Sequence, residues 1–199
     1  IKHVKDDILY YTFFSFLYFM GTRKGEALAL KWTDINFDTN TVKITKTLSF
    51  KVKKEKREQG IKWNITAPKT KNAVREILMP KVLVEHMKAY YEYCKQFEGF
   101  NDDCFVFGMF RPLATTTIDR KFGYYIELAG LKKIKIHDLR HSHASLLINN
   151  GASILVVSKR LGHKDVSETL NTYAHMFPSK EQEVLDIIDA CVVELRLAA

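Results

Sequence analysis

Residues 136–176 read IHDLRHSHASLLINNGASILVVSKRLGHKDVSETLNTYAHM. This stretch decides the fold, because three helices with ordinary starts and stops follow one another within it. The first is predicted from His137, carries Leu146, Leu147 and Ile148, and stops at Asn149-Asn150-Gly151, where glycine supplies the left-handed turn that ends a helix. Ser153 caps a second, with Ile154, Val157 and Leu161 inward and Gly162 ending it just before His163. A third covers Val166 to Met176, where Val166, Leu170, Tyr173 and Phe177 fall on one face. That stripe favours Tyr173 as a plain core residue. The same stretch also holds a His-x-x-Arg step at His137 and Arg140, a Leu-Gly-His turn at His163, and Tyr173 itself.

Outward from there, the residues before Ile136 read as an α+β chain. Asp6 or Asp7 starts a helix running to Met20, dense in aromatics and therefore buried, and Gly21-Thr22 breaks it. Arg23 and Glu26 follow three apart, a spacing that puts them on one helix face, where the carboxylate can hold the guanidinium. The turn at 36–40 leads into an alternating strand over Thr41–Thr45, and Trp63–Thr66 and Ala73–Met79 read as two more strands around the turn Pro68–Asn72. The expectation is a mainly helical α+β domain with a small three-stranded antiparallel sheet and a lysine at a hairpin tip. Helices are predicted over Lys81–Phe97, from Thr115–Thr117 to Gly130, and over Glu181–Leu197 at the end of the chain.

The chain has 199 residues, 46% of them hydrophobic, which suits a globular domain. Its longest apolar run, Ile8–Met20, is interrupted by Thr12 and Ser15 and falls short of the roughly 18–20 apolar residues that span a bilayer. Arg23, Lys24 and Glu26 occupy the place of a cleavage site, so a cytoplasmic protein without a membrane partner is expected. The three cysteines, Cys94, Cys104 and Cys191, form no C-x-x-C pair and suggest neither zinc nor a disulfide framework. The net charge of +8 attracts polyanions, nucleic acid before membrane surfaces. Lys51, Lys53, Lys54, Lys56 and Arg57 form a basic run that reads equally as a solvated loop or as a DNA-backbone contact.

If Arg23, Lys69, His137, Arg140, His163 and Tyr173 converge, their chemistry is coherent. Two planar guanidiniums can clamp both non-bridging oxygens of a phosphodiester and stabilise the charge of a five-coordinate transition state. A phenol with a pKa near ~10 needs a base and a positive field to attack, and His137 can be that base. The departing ribose oxygen needs a proton, which a hairpin-tip lysine such as Lys69 can give. His163 can donate to the phosphate. No acidic cluster is present to hold two metal ions.

These segments carry a resemblance. GTRKGEALALKWTDI at Arg23, PKTKNAVREI at Lys69, HDLRHSHASLL at His137 and Arg140, LGHKD at His163 and ETLNTYAHM at Tyr173 are similar, in order and over nearly the whole chain, to the catalytic domain of tyrosine recombinases, the phage-integrase family. The resemblance implies a DNA integration and recombination enzyme of a phage or conjugative element, acting on double-stranded attachment sites in the bacterial cytoplasm, at the nucleoid. It implies that Arg23 and Arg140 bind the scissile phosphate, Lys69 is the general acid, His137 the general base, and His163 a phosphate ligand. Tyr173 attacks to leave a 3′-phosphotyrosyl link, with no cofactor and no metal. The catalytic domain would cover 1–178, and 179–199 would form a tail in the same domain or exchanged with a neighbour. Core-binding and arm-binding domains would precede it, and four protomers would assemble around two duplexes, although this piece alone can be a monomer.

Three alternatives follow from the residues. Lys71 competes with Lys69, since both sit at the same turn. A non-catalytic DNA-binding module of the same fold would have lost the nucleophile or an arginine. A metal-dependent hydrolase would use His137, His141 and His143, of which the first two share a helix face.

Overall fold

A computed structural model describes residues 7–52, 54, 58, 60, 62–68, 70–174, 185, 186 and 188–191. Helix α1, Ile8–Met20, is apolar on nearly every side, and Phe13, Phe16, Leu17 and Met20 are fully enclosed. It ends at Gly21, whose φ of 63° is the left-handed turn and whose N–H donates to the Leu17 carbonyl at 3.0 Å. Asp7 precedes the helix without a side-chain cap; its carboxylate instead accepts from Lys121 Nζ and the Tyr125 hydroxyl, each at 3.2 Å. The short α2, Lys24–Leu28, follows directly.

Strands β1 (Ile35–Asn36), β2 (Thr41–Ile44) and β5 (Arg75–Leu78) form an antiparallel sheet with β2 in the middle. Val42 pairs with Ile77 and Ile44 with Arg75. A separate two-stranded ribbon joins β3, Thr47–Ser49, to β4, Asn64–Thr66. The expected three-stranded antiparallel sheet is thus present with a different membership. The segments on either side of Lys69 belong to different sheets, and β3 was not legible as a strand. Burial explains the partition: β2 turns Val42 and Ile44 fully inward and needs a partner with an inward residue, which β5 supplies at Ile77, whereas Ile65 of β4 is exposed.

Helices α3 (Lys81–Cys94) and α4 (Thr115–Leu128) complete the first core, in which Phe107 meets Phe13 and Phe16 edge-on. Then come α5 (Asp138–Asn149), α6 (Ile154–Leu161) and α7 (Val166–Tyr173). Ser153 caps α6 as read, its hydroxyl accepting from the Val156 N–H. These three helices share a second, small cluster of Ala144, Ile148, Val157, Leu161 and Tyr173. The terminal helix predicted over Glu181–Leu197 lies largely outside the described residues; residues 185, 186 and 188–191 are helical, with Leu185 and Ile188 exposed. Among the described residues no helix is long and apolar enough to cross a membrane.

Candidate active site

The site forms where α1 ends against the first turn of α5. Arg140 is 4% exposed, and its Nη1 donates to the Gly21 carbonyl at 2.7 Å. Its other terminal nitrogen, Nη2, is buried with no hydrogen-bond partner among the described residues. A buried guanidinium with an unused donor is costly unless an anion completes it. Burial, then the nearby charge of Arg23, pulls the Arg140 pKa down to about 10, so the group stays cationic at neutral pH. Gly21 is required here twice over: its backbone is left-handed, and a Cβ would run into the ring of His143 on α5.

Arg23 sits at the start of α2, its side chain 41% exposed, with Nη1 on Glu26 Oε1 at 2.9 Å. Glu26 also accepts the Arg23 N–H at 2.9 Å, so the spacing legible in the sequence is a reciprocal cap. A third group was missed. Arg75 of β5, only 7% exposed, donates from Nη2 to Glu26 Oε2 at 3.0 Å and from Nε to the Arg160 carbonyl at 2.9 Å. Burial alone would raise the Glu26 pKa, but the Arg75 hydrogen bonds and charge, with those of Arg23, outweigh it and hold the carboxyl below its ordinary range. Gly162 lies against the Arg75 guanidinium, leaving no room for a Cβ.

His163 follows Gly162, and its Nδ1 lies 2.7 Å from the Thr169 hydroxyl. Burial, then the charge of Arg140, lowers its pKa to about 4, so it is neutral at pH 7. Either group can donate in this pair; in the tautomer with the proton on Nε2, the Thr169 hydroxyl donates to Nδ1 and Nε2 keeps a donor for an anion. Burial, then His141, Arg140 and Arg23, lowers the pKa of His137, which is exposed at the head of α5.

Tyr173 is 4% exposed and belongs to the second cluster, as its apolar stripe suggested. The stripe itself differs from expectation. Leu170 is 48% exposed, Phe177 lies outside the described residues, and the buried face of α7 is Thr169 with Tyr173, because Thr169 is enclosed by its bond to His163. Burial raises the phenol pKa, while Arg140 pulls it the other way. The hydroxyl lies 2.7 Å from Nδ1 of His141, and the His141 and His137 rings meet edge-on with centroids 4.9 Å apart.

Five of the six sequence-derived residues, Arg23, His137, Arg140, His163 and Tyr173, therefore influence one another around Arg140. Lys69 lies outside the described residues, as do Lys53, Lys56 and Arg57. Of Lys71 the backbone forms a short 3-10 turn with Asn72 and Ala73. Lys51 and Lys54 are exposed, and Lys54 approaches Glu58 at 4.0 Å. A basic edge not singled out in the sequence adjoins His137: a cleft of about 470 Å³ lined in part by Thr22, Lys24, Lys133 and Lys135. His143 points to Arg160, whose Nε donates to its Nε2 at 3.0 Å, away from the His137–His141 pair. Among the described residues no three His, Cys, Asp or Glu side chains gather as a metal site.

A mainly helical fold with a small antiparallel sheet thus brings arginines, histidines and a buried phenol to one point. Residues 1–180 match the phage integrase family, and the chain belongs to that family. It is 33% identical over 193 residues to the ICEBs1 integrase of Bacillus subtilis (strain 168), covering 93% of this chain and 50% of that protein. It is 28% identical over 180 residues to a XerC-like tyrosine recombinase of Caldanaerobacter subterraneus subsp. tengcongensis, covering 85% and 46%. The chain thus spans about half the length of the curated relatives it matches. Among solved structures it shares the fold of the Tn1549 transposon integrase in complex with transposon right end DNA, with a TM-score of 0.70 at 21% identity over 98% of this chain and 60% of that one. The XerA recombinase gives 0.66 at 23% identity, over 89% and 61%.

Proposed function

We propose that residues 1–178 are the catalytic domain of a site-specific DNA recombinase, an integrase of a phage or conjugative element working on double-stranded attachment sites in the bacterial cytoplasm. The observation that carries this reading is the buried Arg140, with one donor on Gly21 and one unpartnered, set among Arg23, His137, His163 and Tyr173. A phosphodiester supplies the acceptor that Arg140 lacks. Arg23 and Arg140 then hold the non-bridging oxygens, His163 donates from Nε2, and Glu26 keeps Arg23 aimed. His137 stands beside the phosphate, in the place where the family resemblance puts the base, and Lys69 protonates the departing 5′-oxygen. Tyr173 attacks phosphorus, leaving a 3′-phosphotyrosyl link and a free 5′-hydroxyl. Rejoining is the reverse, so the energy of the broken bond is kept in the protein link.

The solved Tn1549 integrase bound to DNA supports a duplex as the partner. The basic run at Lys51–Arg57, Lys71, and the edge at Lys24, Lys133 and Lys135 would contact its backbone. Synapsis would use four protomers, with 179–199 packing on its own domain or on a neighbour.

The test is a nicked suicide duplex carrying the attachment-site core, incubated with EDTA and then denatured. A protein–DNA adduct is expected from the wild type and none from Tyr173→Phe. An adduct that persists in Tyr173→Phe, or one that needs a divalent metal, overturns the reading. Binding is expected to weaken steeply as salt rises, because phosphate contacts release counterions; a salt-insensitive affinity contradicts the assigned backbone contacts.

A further inference from the structure

The geometry points to His141, a residue outside the set assigned by resemblance, as the group that takes the proton from Tyr173 when the phenol attacks. The inference rests on Tyr173 being the nucleophile. Three observations carry it. His141 Nδ1 lies 2.7 Å from the Tyr173 hydroxyl, within the distance of a direct proton transfer. The residue is partly buried and its ring is fixed edge-on against His137, with centroids 4.9 Å apart and planes at 88°, so the Nδ1 lone pair keeps its direction. And the hydroxyl it faces is on a side chain only 4% exposed, so water is a poor competitor as acceptor. His137, by contrast, is exposed and has no hydrogen bond to the phenol among the described residues.

With its own proton on Nε2, His141 presents a lone pair to the phenol. The Tyr173 Oη–H bond breaks and its proton passes to Nδ1, giving an imidazolium. The Oη–P bond forms as the P–O5′ bond breaks, and the 5′-oxygen takes a proton from the general acid assigned to Lys69. On rejoining, the 5′-hydroxyl attacks phosphorus, the phenolate leaves, and His141 returns the proton. His137 is then free to stay on the phosphate side of the site. The other tautomer, with the proton on Nδ1, would make His141 only an anchor for the tyrosine, and the experiment separates the two.

The test uses the full chain with His141→Asn, whose side-chain oxygen can still accept a hydrogen bond near the Nδ1 position but cannot take a proton, with His137→Asn in parallel. Adduct formation on the nicked suicide duplex is followed in a single turnover, beside DNA affinity and thermal melting. Wild type and Tyr173→Phe are run first: loss of the wild-type adduct, or its survival in Tyr173→Phe, overturns the recombinase reading and this inference with it. Otherwise His141→Asn is expected to slow cleavage on the order of 10²–10⁴-fold with DNA affinity and melting unchanged. Placing a fluorinated, more acidic tyrosine at position 173 should return at least roughly tenfold of that loss, since an easier proton needs less help. A 5′-bridging phosphorothiolate, which relieves the leaving group and not the nucleophile, should not. Wild-type rates in His141→Asn, a loss that the acidic tyrosine does not relieve, or relief confined to His137→Asn would each overturn the assignment. If His141→Asn melts early, His141→Gln is read in the same way.

Discussion

The molecule has two cores of different character. The first, under α1, α3, α4 and the sheet, is large and aromatic, with Phe13, Phe16 and Phe107 interlocked and fully enclosed. The second, under α5, α6 and α7, is a handful of small aliphatics and one tyrosine. One carries Arg23 and β5; the other carries His163 and Tyr173. What joins them is largely polar. Arg140 reaches Gly21, Arg160 reaches the Phe19 and Leu78 carbonyls from the opposite side, and Arg75 reaches the Arg160 carbonyl. The comparison teaches that the candidate site straddles a seam, where guanidinium–carbonyl bonds act beside the apolar contacts that Ile136 and Leu139 make with the first core.

Four changes would break or sharpen that picture. The largest effect is expected from Arg140→Ala, which removes the proposed phosphate ligand and a strut of the seam together. Adduct formation should fall at least ~10³-fold, and urea unfolding should show a loss of roughly 1–3 kcal/mol from the orphaned Gly21 carbonyl. Arg75→Ala touches the seam and leaves the proposed phosphate ligands, Arg23 and Arg140, in place. It leaves Glu26 buried with one partner fewer and should cost about 3–5 kcal/mol in the same unfolding measurement. A cost near zero would mean that the two cores do not depend on this brace.

The third change is in pH. His143 is 4% exposed, accepts from Arg160, and has a pKa lowered to about 4, by burial first and by Arg160 next. The unfolded chain binds this proton near pH ~6.5 and the folded chain does not, so stability is complete above that pH and declines as pH falls toward 4. The loss from His143 should reach on the order of 3 kcal/mol by pH 4, and His143→Gln should reduce the slope of that part of the unfolding profile while leaving the share of His163, whose pKa is lowered to about 4 as well. The smallest effect belongs to Thr169→Val, which removes the hydroxyl that orients His163. Unfolding should cost about 0.5–1.5 kcal/mol, and cleavage should slow without loss of DNA affinity, measured by single-turnover adduct formation.

The helices were legible because each has its own punctuation: Gly21, Gly151, Ser153 and Gly162 all stand where the backbone turns. The five residues around Arg140 were legible as a pattern of types in order. Arg75 was not, since an arginine in an alternating strand looks like a solvent-facing residue, and its partner Glu26 is 49 positions away. The pairing of β4 with β3 was hidden for a similar reason, because β3 is three residues long with only Leu48 buried, and β4 is too exposed to show an apolar alternation. His141 left a signal, its i, i+4 spacing from His137, but that spacing serves a ring contact and a metal pair equally. Thr169 left none, being a polar residue buried by a single bond.

Glu26 has two oxygens and two arginines drawing on them, one from the start of α2 and one from β5. Its carboxylate therefore makes the placement of Arg23 and of β5 interdependent. Removing Arg75 frees Glu26 to hold Arg23 more tightly, while removing Arg23 leaves Arg75 unopposed. A double-mutant cycle of the two should be non-additive, and a shift of β5 would be felt at Arg23 through one shared carboxylate.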